Sequence, residues 1–243
     1  MVQTVFEKLI SKCQILERLR LRNFDGFRNL KISAPNLQFC DICGDFLEIS
    51  FHNTSRLTIV SIALYTNVNC ASFRIPSKLI KFFCEIPKIR RLEIQSHFSK
   101  YLAKGSTIRN LRKPCLDLIY ISITMNFSEL DENLLGIWLL ENAPNLQELK
   151  ILAEEQTGLK VLEDVWFKRI FLYKLHQLKA VRTRGINGIE NELGCIQFIL
   201  SKSPALEKMI ITPCKNQVSC DLTKKLLRFP RASVKAEIIY IDP

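Results

Sequence analysis

Glycine is scarce in this chain, and its scarcity excludes several classes of enzyme. Only 8 of the 243 residues are glycine, about 3% against an average usage near 7%. The sequence contains neither a G-x-G-x-x-G nor a Walker-type loop for binding phosphate, and no G-x-S-x-G turn to expose a serine nucleophile. We therefore predict a protein without nucleotide-dependent or serine-hydrolase chemistry, and more generally one that is not an enzyme.

Long apolar runs are also missing. No run approaches the ~18 residues that a membrane-spanning helix needs, and the N-terminus lacks the unbroken apolar core of a signal peptide. The nine cysteines are odd in number and scattered, unlike the clustered cysteines of small secreted scaffolds. With 47% hydrophobic residues the chain can bury a core. We expect a soluble protein with free thiols, in the cytoplasm or the nucleus.

What the chain does contain is an internal repeat. A proline is followed two residues later by an apolar residue and, seven residues after the proline, by an isoleucine. Copies that lack the proline end at positions 21, 62 and 183, so successive copies end on average about 27 residues apart, inside the ~20–29 residues of leucine-rich repeats. The copies with proline are SAPNLQFCDI (33–42), EIPKIRRLEI (85–94), RKPCLDLIYI (112–121), NAPNLQELKI (142–151) and KSPALEKMII (202–211).

Each copy predicts a short strand, because its last two apolar residues are two apart and therefore share one face. One strand cannot bury that face alone, so successive strands should stack in parallel and return through crossovers that are usually helical. Helical spacing of apolar residues predicts helices around 78–85, 131–142 and 189–202, each ending before a proline that cannot continue it. The expected fold is α/β: an irregular leucine-rich-repeat solenoid with parallel strands on one face and helices and loops on the other.

Other motifs favour structural roles. Cys40 and Cys43 form a C-x-x-C, but Cys40 falls on an inward strand position and no second pair at zinc spacing accompanies it. His176 takes the place that proline occupies in other copies. Three residues after each strand pattern, where leucine-rich repeats often place Asn or Cys, only Cys214 fits, so no regular Asn ladder is predicted. We expect no metal and no cofactor.

The chain resembles a known family at both ends. The segment from CQILERLRLRNF to RLTIVSIALY (13–65) is similar to the repeat region of plant F-box proteins with leucine-rich repeats. Near the C-terminus, the L-L-x-F-P-R-A-S signature of the FBD domain stands as Leu226, Leu227, Phe229, Pro230, Arg231, Ala232 and Ser233. The resemblance implies leucine-rich repeats over 1–160 and an FBD domain over 161–243 that continues the solenoid.

The resemblance also implies a function, which is the substrate-binding arm of an SCF-type ubiquitin ligase. In that family the F-box docks the Skp adaptor. Residues 1–20 have the pattern of a repeat and not of an F-box, so we expect no binding to a Skp adaptor without an added F-box.

A solenoid presents the outward residues of its strands as a binding surface. The mixture of charged and aromatic residues at these positions suits a protein partner, and the predominance of basic residues among them suits an acidic one. From the register, the outward residues include Arg18, Arg20, Arg22, Phe39, Asp41, Arg91, Glu93, Tyr120, Glu148, Lys150, Arg182 and Arg184.

Positive charge is concentrated in the first half. Residues 1–121 hold 19 basic against 9 acidic residues, whereas the remainder holds 16 against 15. The stretch from Arg74 to Lys113 alone has eleven basic residues against Glu85 and Glu93. Such a stretch can attract an acidic protein segment, an anionic small molecule or nucleic acid. No zinc-finger, RNP-like or basic-zipper pattern supports nucleic acid, which is the weaker alternative.

Two functional hypotheses remain open. The chain is either the recognition part of a ubiquitin ligase subunit or a free-standing, non-enzymatic interaction scaffold. In either case the basic first half could instead hold an anionic ligand.

Overall fold

The structure is a computed structural model that describes residues 3–66, 78–104, 114–154, 165–166, 174–215 and 220–242. Its α/β class agrees with the prediction. The chain divides into two compact units, Met1–Leu118 and Ile119–Pro243. The described residues form α1 (Gln3–Lys12), β1 (Arg18–Ser33), β2 (Phe39–His52), β3 (Ile59–Leu64), α2 (Lys78–Glu85), β4 (Arg91–Ser96), α3 (Phe98–Ala103), β5 (Tyr120–Met125), α4 (Leu130–Asn142), β6 (Glu148–Ala153), β7 (Ala180–Ile186), α5 (Glu190–Lys202), β8 (Lys208–Pro213), α6 (Cys220–Leu227) and β9 (Glu237–Tyr240).

The strands of the first unit pair in parallel in chain order, from β1 to β4. Their register aligns the repeats as the sequence predicts, since Ile42 lies opposite Ile62 and Ile62 opposite Ile94. All three isoleucines are fully buried. Aromatic rings fill the space beneath this sheet, with the rings of Phe46 and Phe98 6.2 Å apart. The apolar faces of the repeats therefore build one core in this unit.

A turn with a recurring hydrogen bond precedes the strands. The backbone N–H of Leu37 donates to the carbonyl of Ala34 at 3.3 Å, and that of Leu146 donates to Ala143 at 3.1 Å. Pro35 and Pro144 occupy the second position of these turns, where proline's fixed φ is favourable. His176 occupies the equivalent position in the turn from Leu175 to Leu178, as the sequence predicts. Where proline stands at this position, it therefore marks the turn into the strand, whether a strand or a helix comes before it.

The three predicted helices are confirmed as α2, α4 and α5. The first repeats of the chain, however, return without a helix. The second half of β1 pairs in parallel with the second half of β2, as Leu30 opposite Ile49 and Ile32 opposite Phe51. The bend in β1 lies at Asn23, with φ 56°, and Gly26, with φ 74°; Gly adopts this left-handed region without steric cost.

Repeat length explains the missing helix. The turn residues Leu16, Leu37 and Leu57 are 21 and 20 residues apart. The repeats that contain a helix are longer, with 28 residues from Leu118 to Leu146. A helix as long as the 13 residues of α4, together with a strand and two connections, does not fit into a repeat of about 20 residues. The expectation of helical crossovers fails for these short repeats for that reason.

The strands of the second unit, β5 to β9, also pair in parallel in chain order. β6 pairs with β7 through Leu149 opposite Val181 and Ile151 opposite Thr183, so a strand from the region assigned to the FBD domain continues the ladder. The division at residues 160 and 161 itself lies outside the described residues and stays a prediction.

The predicted register of one repeat is wrong. The pattern RKPCLDLIYI placed its last apolar residue at Ile121, but the ladder sets Ile121 opposite Leu149 and Ile123 opposite Ile151. The turn runs from Cys115 to Leu118, so Pro114 lies just before it. A shift of two residues keeps every side chain on the same face, and alternation therefore could not reveal the error. The corrected register places Asn126 three residues after Ile123; its Oδ1 accepts a hydrogen bond from the N–H of Ser128 at 2.9 Å.

The FBD signature joins the end of α5 to β9. The N–H of Ala232 donates to the carbonyl of Leu200 at 2.9 Å, one of the last carbonyls of the helix, which have no partner within it. The hydroxyl of Ser233 donates to the carbonyl of Leu206 at 2.6 Å. Arg231 donates from its guanidinium to the carbonyl of Ala236 at 3.2 Å. The polar residues of the signature thus satisfy backbone groups at the turn that leads into the last strand.

Candidate partner-binding strand face

The outward side chains of β1 to β4 make up what we call the first strand face. They lie opposite the buried residues of each repeat and follow the strand register in rows. One row runs from Arg20 to Asp41, Ser61 and Glu93. The row before it consists of Arg18, Phe39, Ile59 and Arg91, and the row after it of Arg22, Cys43, Ala63 and Gln95.

An ion-pair cluster dominates this face. The Nε of Arg20 lies 3.0 Å from Oδ2 of Asp41, and the terminal nitrogen Nη2 of Arg22 lies 2.7 Å from the same oxygen. The Nε of Arg22 also donates to Oδ2 at 3.1 Å. The Asp41 side chain is only 6% exposed, whereas those of Arg20 and Arg22 are 63% and 57% exposed. A carboxylate so buried needs paired charge, and hydrogen bonding to it raises the pKa of Arg22.

A third arginine packs against the same strand. The guanidinium carbon of Arg18 lies 4.2 Å from the centroid of the Phe39 ring, and that of Arg20 lies 5.9 Å from it. Both distances fall within the ~6 Å of a cation–π contact. Three guanidinium groups therefore surround one carboxylate and one aromatic ring. This part of the face carries an excess of positive charge on side chains held in defined positions.

Residues absent from the predicted set extend the cluster. The hydroxyl of Tyr65 donates to Oδ1 of Asn23, and a hydrogen bond with the Cys43 thiol is the main cause that raises the pKa of Tyr65. The sequence could have included Cys43 among the outward residues, because Cys43 follows Asp41 by two residues on the same strand and therefore shares its face. Tyr65 comes after the last residue of β3, where strand alternation no longer applies.

Arg91 and Glu93 lie farther along the first strand face. Each is separated from β2 by one residue of β3, Ile59 and Ser61 respectively. With neighbouring strands ~4.8 Å apart, Glu93 lies about 10 Å from Asp41 along the row. Glu93 accepts a hydrogen bond from Nε2 of Gln95 at 3.2 Å. The structure therefore places both predicted residues on the face but outside the ion-pair cluster.

The other predicted site residues lie on the second unit, on what we call the second strand face. Lys150 of β6 stands directly opposite Arg182 of β7, and Arg184 follows two residues later. Tyr120 of β5 stands opposite Glu148. Within the described parts of the chain, no carboxylate lies within ion-pair distance of Lys150, Arg182 or Arg184. The ten predicted residues thus fall on two faces, six on the first unit and four on the second.

The basic stretch from Arg74 to Lys113 is described only in its middle part. Arg74, Arg109, Arg112 and Lys113 lie outside the described residues. Arg90 is exposed in the turn before β4, and Nζ of Lys78 lies 4.1 Å from the centroid of the Tyr101 ring. Binding by this stretch stays a prediction.

The C-x-x-C pair does not have the geometry of a metal site. Cys40 is fully buried in the core, and burial raises the pKa of its thiol; Cys43 lies on the opposite face of β2. Among the residues that the structure describes, no group of three or more His, Cys, Asp or Glu could hold a metal ion. In the same residues, no helix has the length and apolar character needed to span a membrane.

Comparison with known proteins finds relatives in Arabidopsis thaliana. An F-box/FBD/LRR-repeat protein is 33% identical over 246 residues, which cover 98% of this chain and 59% of the relative. Two further proteins named as F-box/FBD/LRR-repeat proteins are 25% and 30% identical, over 98% and 96% of this chain and 61% and 57% of their own lengths. No protein-family profile and no solved structure matches.

These matches confirm the resemblance drawn from the two ends of the sequence. The chain is related to plant F-box/FBD/LRR-repeat proteins over nearly all of its length. It spans about three fifths of the length of these relatives.

Proposed function

We propose that this relative of plant F-box/FBD/LRR-repeat proteins is an irregular leucine-rich-repeat solenoid that binds a partner protein on its strand faces. In this proposal it supplies the substrate-recognition part of an SCF-type ubiquitin ligase and has no enzymatic activity of its own. The partner is a protein, and the location is the cytoplasm or the nucleus.

One observation carries the proposal. Charged, exposed side chains stand among the outward residues of the parallel strands on both units, for example Arg18 on the first and Arg182 on the second, whereas most inward residues of the strands are buried. On the first strand face two of them, Arg20 and Arg22, are held by the buried Asp41. Asp41 is engaged in ion pairs, so this arrangement offers recognition of a partner and not acid–base chemistry.

The test compares the chain with a version that carries an F-box segment fused to its N-terminus. Expressed in plant cells, the fusion should associate with a Skp adaptor and lower the abundance of specific proteins, and proteasome inhibition should reverse that loss. Glu substitutions at Arg182 and Arg184, combined with Gln at Arg18, should abolish the loss while the fusion still binds the adaptor. Equal turnover by the altered fusion would contradict recognition by the strand faces.

The same experiment separates the alternative of a free-standing scaffold. If the fusion binds the adaptor and the strand faces capture a protein whose abundance does not fall, the chain is an interaction scaffold that does not present substrates for ubiquitination. A fluorescent fusion of the chain checks the proposed location.

A further inference from the structure

We propose that the first strand face binds an extended acidic segment of the partner protein, with carboxylates at alternate positions next to one apolar side chain. This inference rests on the proposed function as a protein-binding module, and it specifies the chemistry of the partner. The residues that carry it are Arg20, Arg22, Phe39, Asp41 and Ile59.

The ion pairs with Asp41 orient the two guanidinium groups and leave most of their donors available. A guanidinium has five N–H donors; Arg20 uses its Nε, and Arg22 uses its Nε and Nη2, on a single oxygen of Asp41. Both side chains remain more than half exposed. The remaining donors therefore face solvent on side chains that are already ordered, which lowers the entropy cost of binding a carboxylate.

The spacing of the arginines matches an extended peptide. Arg18, Arg20 and Arg22 alternate along β1 on one face, so neighbouring members of the series are about 6.6 Å apart. Alternate residues of an extended peptide have the same spacing. A segment lying along the strands can therefore place successive acidic side chains against Arg20 and Arg22.

The row of Arg18 provides the apolar contact. Phe39 and Ile59 are neighbours across β2 and β3 and are both half-buried. In the following rows β3 presents only Ser61 and Ala63, whose small side chains leave room for the peptide backbone. The pattern expected of the partner is an apolar residue followed, at alternate positions, by two acidic residues, or the same order reversed.

The face favours such a segment over a uniform polyanion. Asp41 lies at the centre of the cluster, and Glu93 lies in the same row on β4. A nucleic acid would bring phosphates against these carboxylates as well as against the arginines, whereas a peptide needs acidic groups only beside Arg20 and Arg22. Mixed charge of this kind selects among anions instead of attracting all of them.

The test measures binding of short fluorescent peptides to the full chain. One peptide carries Leu-Ser-Glu-Ser-Glu, a second carries the reversed order, and a third has Gln in place of both Glu. One of the first two should bind, and the Gln peptide should bind at least tenfold more weakly. A short single-stranded DNA serves as the nucleic-acid probe and should bind more weakly than the acidic peptide at physiological salt.

The variants separate geometry from charge. R20Q/R22Q/D41N removes both arginines together with the carboxylate that would otherwise be left buried and unpaired, and it should weaken binding of the acidic peptide about tenfold or more. That corresponds to ~1.4 kcal/mol or more. R20K/R22K keeps the charge but lacks the planar fork, and it should also weaken binding. The matched control K225Q/R228Q changes two exposed basic residues at the end of α6, outside both strand faces, and it should change affinity less than about twofold, because the peptide does not contact these residues.

Several results would overturn the inference. These are equal weakening by the two Gln variants, unchanged binding by R20K/R22K, and tighter binding of DNA than of the peptide. If no peptide binds while strand-face substitutions still abolish turnover by the F-box fusion, the inference fails and the proposed function stands. If the peptide binds as expected while turnover does not depend on the strand faces, the ligase function fails and this site stands.

Discussion

Two buried carboxylates of this protein are stabilised by different partners. Asp41 is paired with two arginine side chains, whereas Glu192 of α5 accepts hydrogen bonds on Oε2 from the backbone N–H groups of Asn187, Gly188 and Ile189, at 2.8, 2.6 and 3.2 Å. The first arrangement places cations at the surface. The second satisfies the backbone N–H groups of the loop before a helix, and none of these donors is a cationic side chain. Glu192 therefore affects stability and not recognition.

Glu192 should make folding stability depend on pH. Burial raises its pKa above the ordinary value of 4.5, and the backbone hydrogen bonds only partly oppose this. Between 4.5 and the raised pKa, the folded state holds a proton that the unfolded state has released. Stability therefore increases as pH falls through the raised pKa and levels off below 4.5, with a slope of at most ~1.4 kcal/mol per pH unit.

Chemical denaturation of wild type and E192Q across this range measures the effect. The stability of wild type relative to E192Q should increase as the pH is lowered. E190Q, which changes an exposed glutamate in the first turn of the same helix, is the control and should track the wild type. If the difference in unfolding free energy between wild type and E192Q is the same at every pH, Glu192 does not cause the pH dependence.

Cys40, of the C-x-x-C pair, and Cys84 should differ in reactivity. Cys40 is fully buried with a raised pKa, and only the thiolate is an effective nucleophile. Iodoacetamide applied to the native protein should therefore leave Cys40 unmodified, while exposed Cys84 is alkylated. Peptide mass spectrometry gives the extent at each site. Alkylation of Cys40 at the rate of Cys84 would show that the strand opens readily.

At the scale of the elements, the FBD signature should act through the last strand. In S233A the hydrogen bond from the Ser233 hydroxyl to the carbonyl of Leu206, 2.6 Å in the native protein, is lost from a buried site. We expect a loss of ~1 kcal/mol in the free energy of unfolding and faster hydrogen exchange at Glu237, whose N–H bonds to Glu207.

S11A is the matched control, because the hydroxyl of Ser11 donates to the carbonyl of Lys8 at an exposed position of α1. It should leave both the unfolding free energy and exchange at Glu237 close to wild type. If S233A and S11A behave alike, the signature serine does not hold the turn.

Alternation of apolar residues predicted which strands form and which way their side chains face. It also placed all ten candidate site residues on strand faces, because the face depends only on even or odd position. The same property hid the two-residue error at Pro114. The ion pairs of Asp41 could not be read from the sequence, because the repeat register sets Arg20 opposite Asp41 but does not give the side-chain conformations that bring both arginines to one carboxylate oxygen.

The strand extensions escaped prediction for another reason. β1 runs for 16 residues and β2 for 14, well past the pattern that ends each repeat. Their second halves are stabilised by each other and by α1, where the side chains of Gln3 and Glu7 accept hydrogen bonds from the N–H groups of Arg28 and Lys31. Such contacts between separate elements leave no periodic signal in the sequence.

At the scale of the whole molecule, charge and surface differ between the two units. The candidate face of the first unit holds its arginines in ion pairs and ring contacts, and residues 1–121 carry 19 basic against 9 acidic residues. In the remainder, with 16 against 15, the cations of the second face stand in an almost neutral background. A basic residue of the first half should therefore contribute more to the attraction of anions than a basic residue of the second half.

Heparin chromatography tests this difference in background charge. Replacing Arg90, Arg91, Arg109 and Arg112 with Gln should lower the salt concentration of elution more than replacing Lys179, Arg182, Arg184 and Lys208, although each variant loses four positive charges. The reason is that potentials add within a Debye length of ~8 Å at physiological ionic strength, and cations surrounded by other cations hold a polyanion more strongly than cations interspersed with carboxylates. Circular dichroism should show both variants folded. Equal shifts in elution would mean that local background charge does not govern binding and that the basic stretch is only a solvated surface.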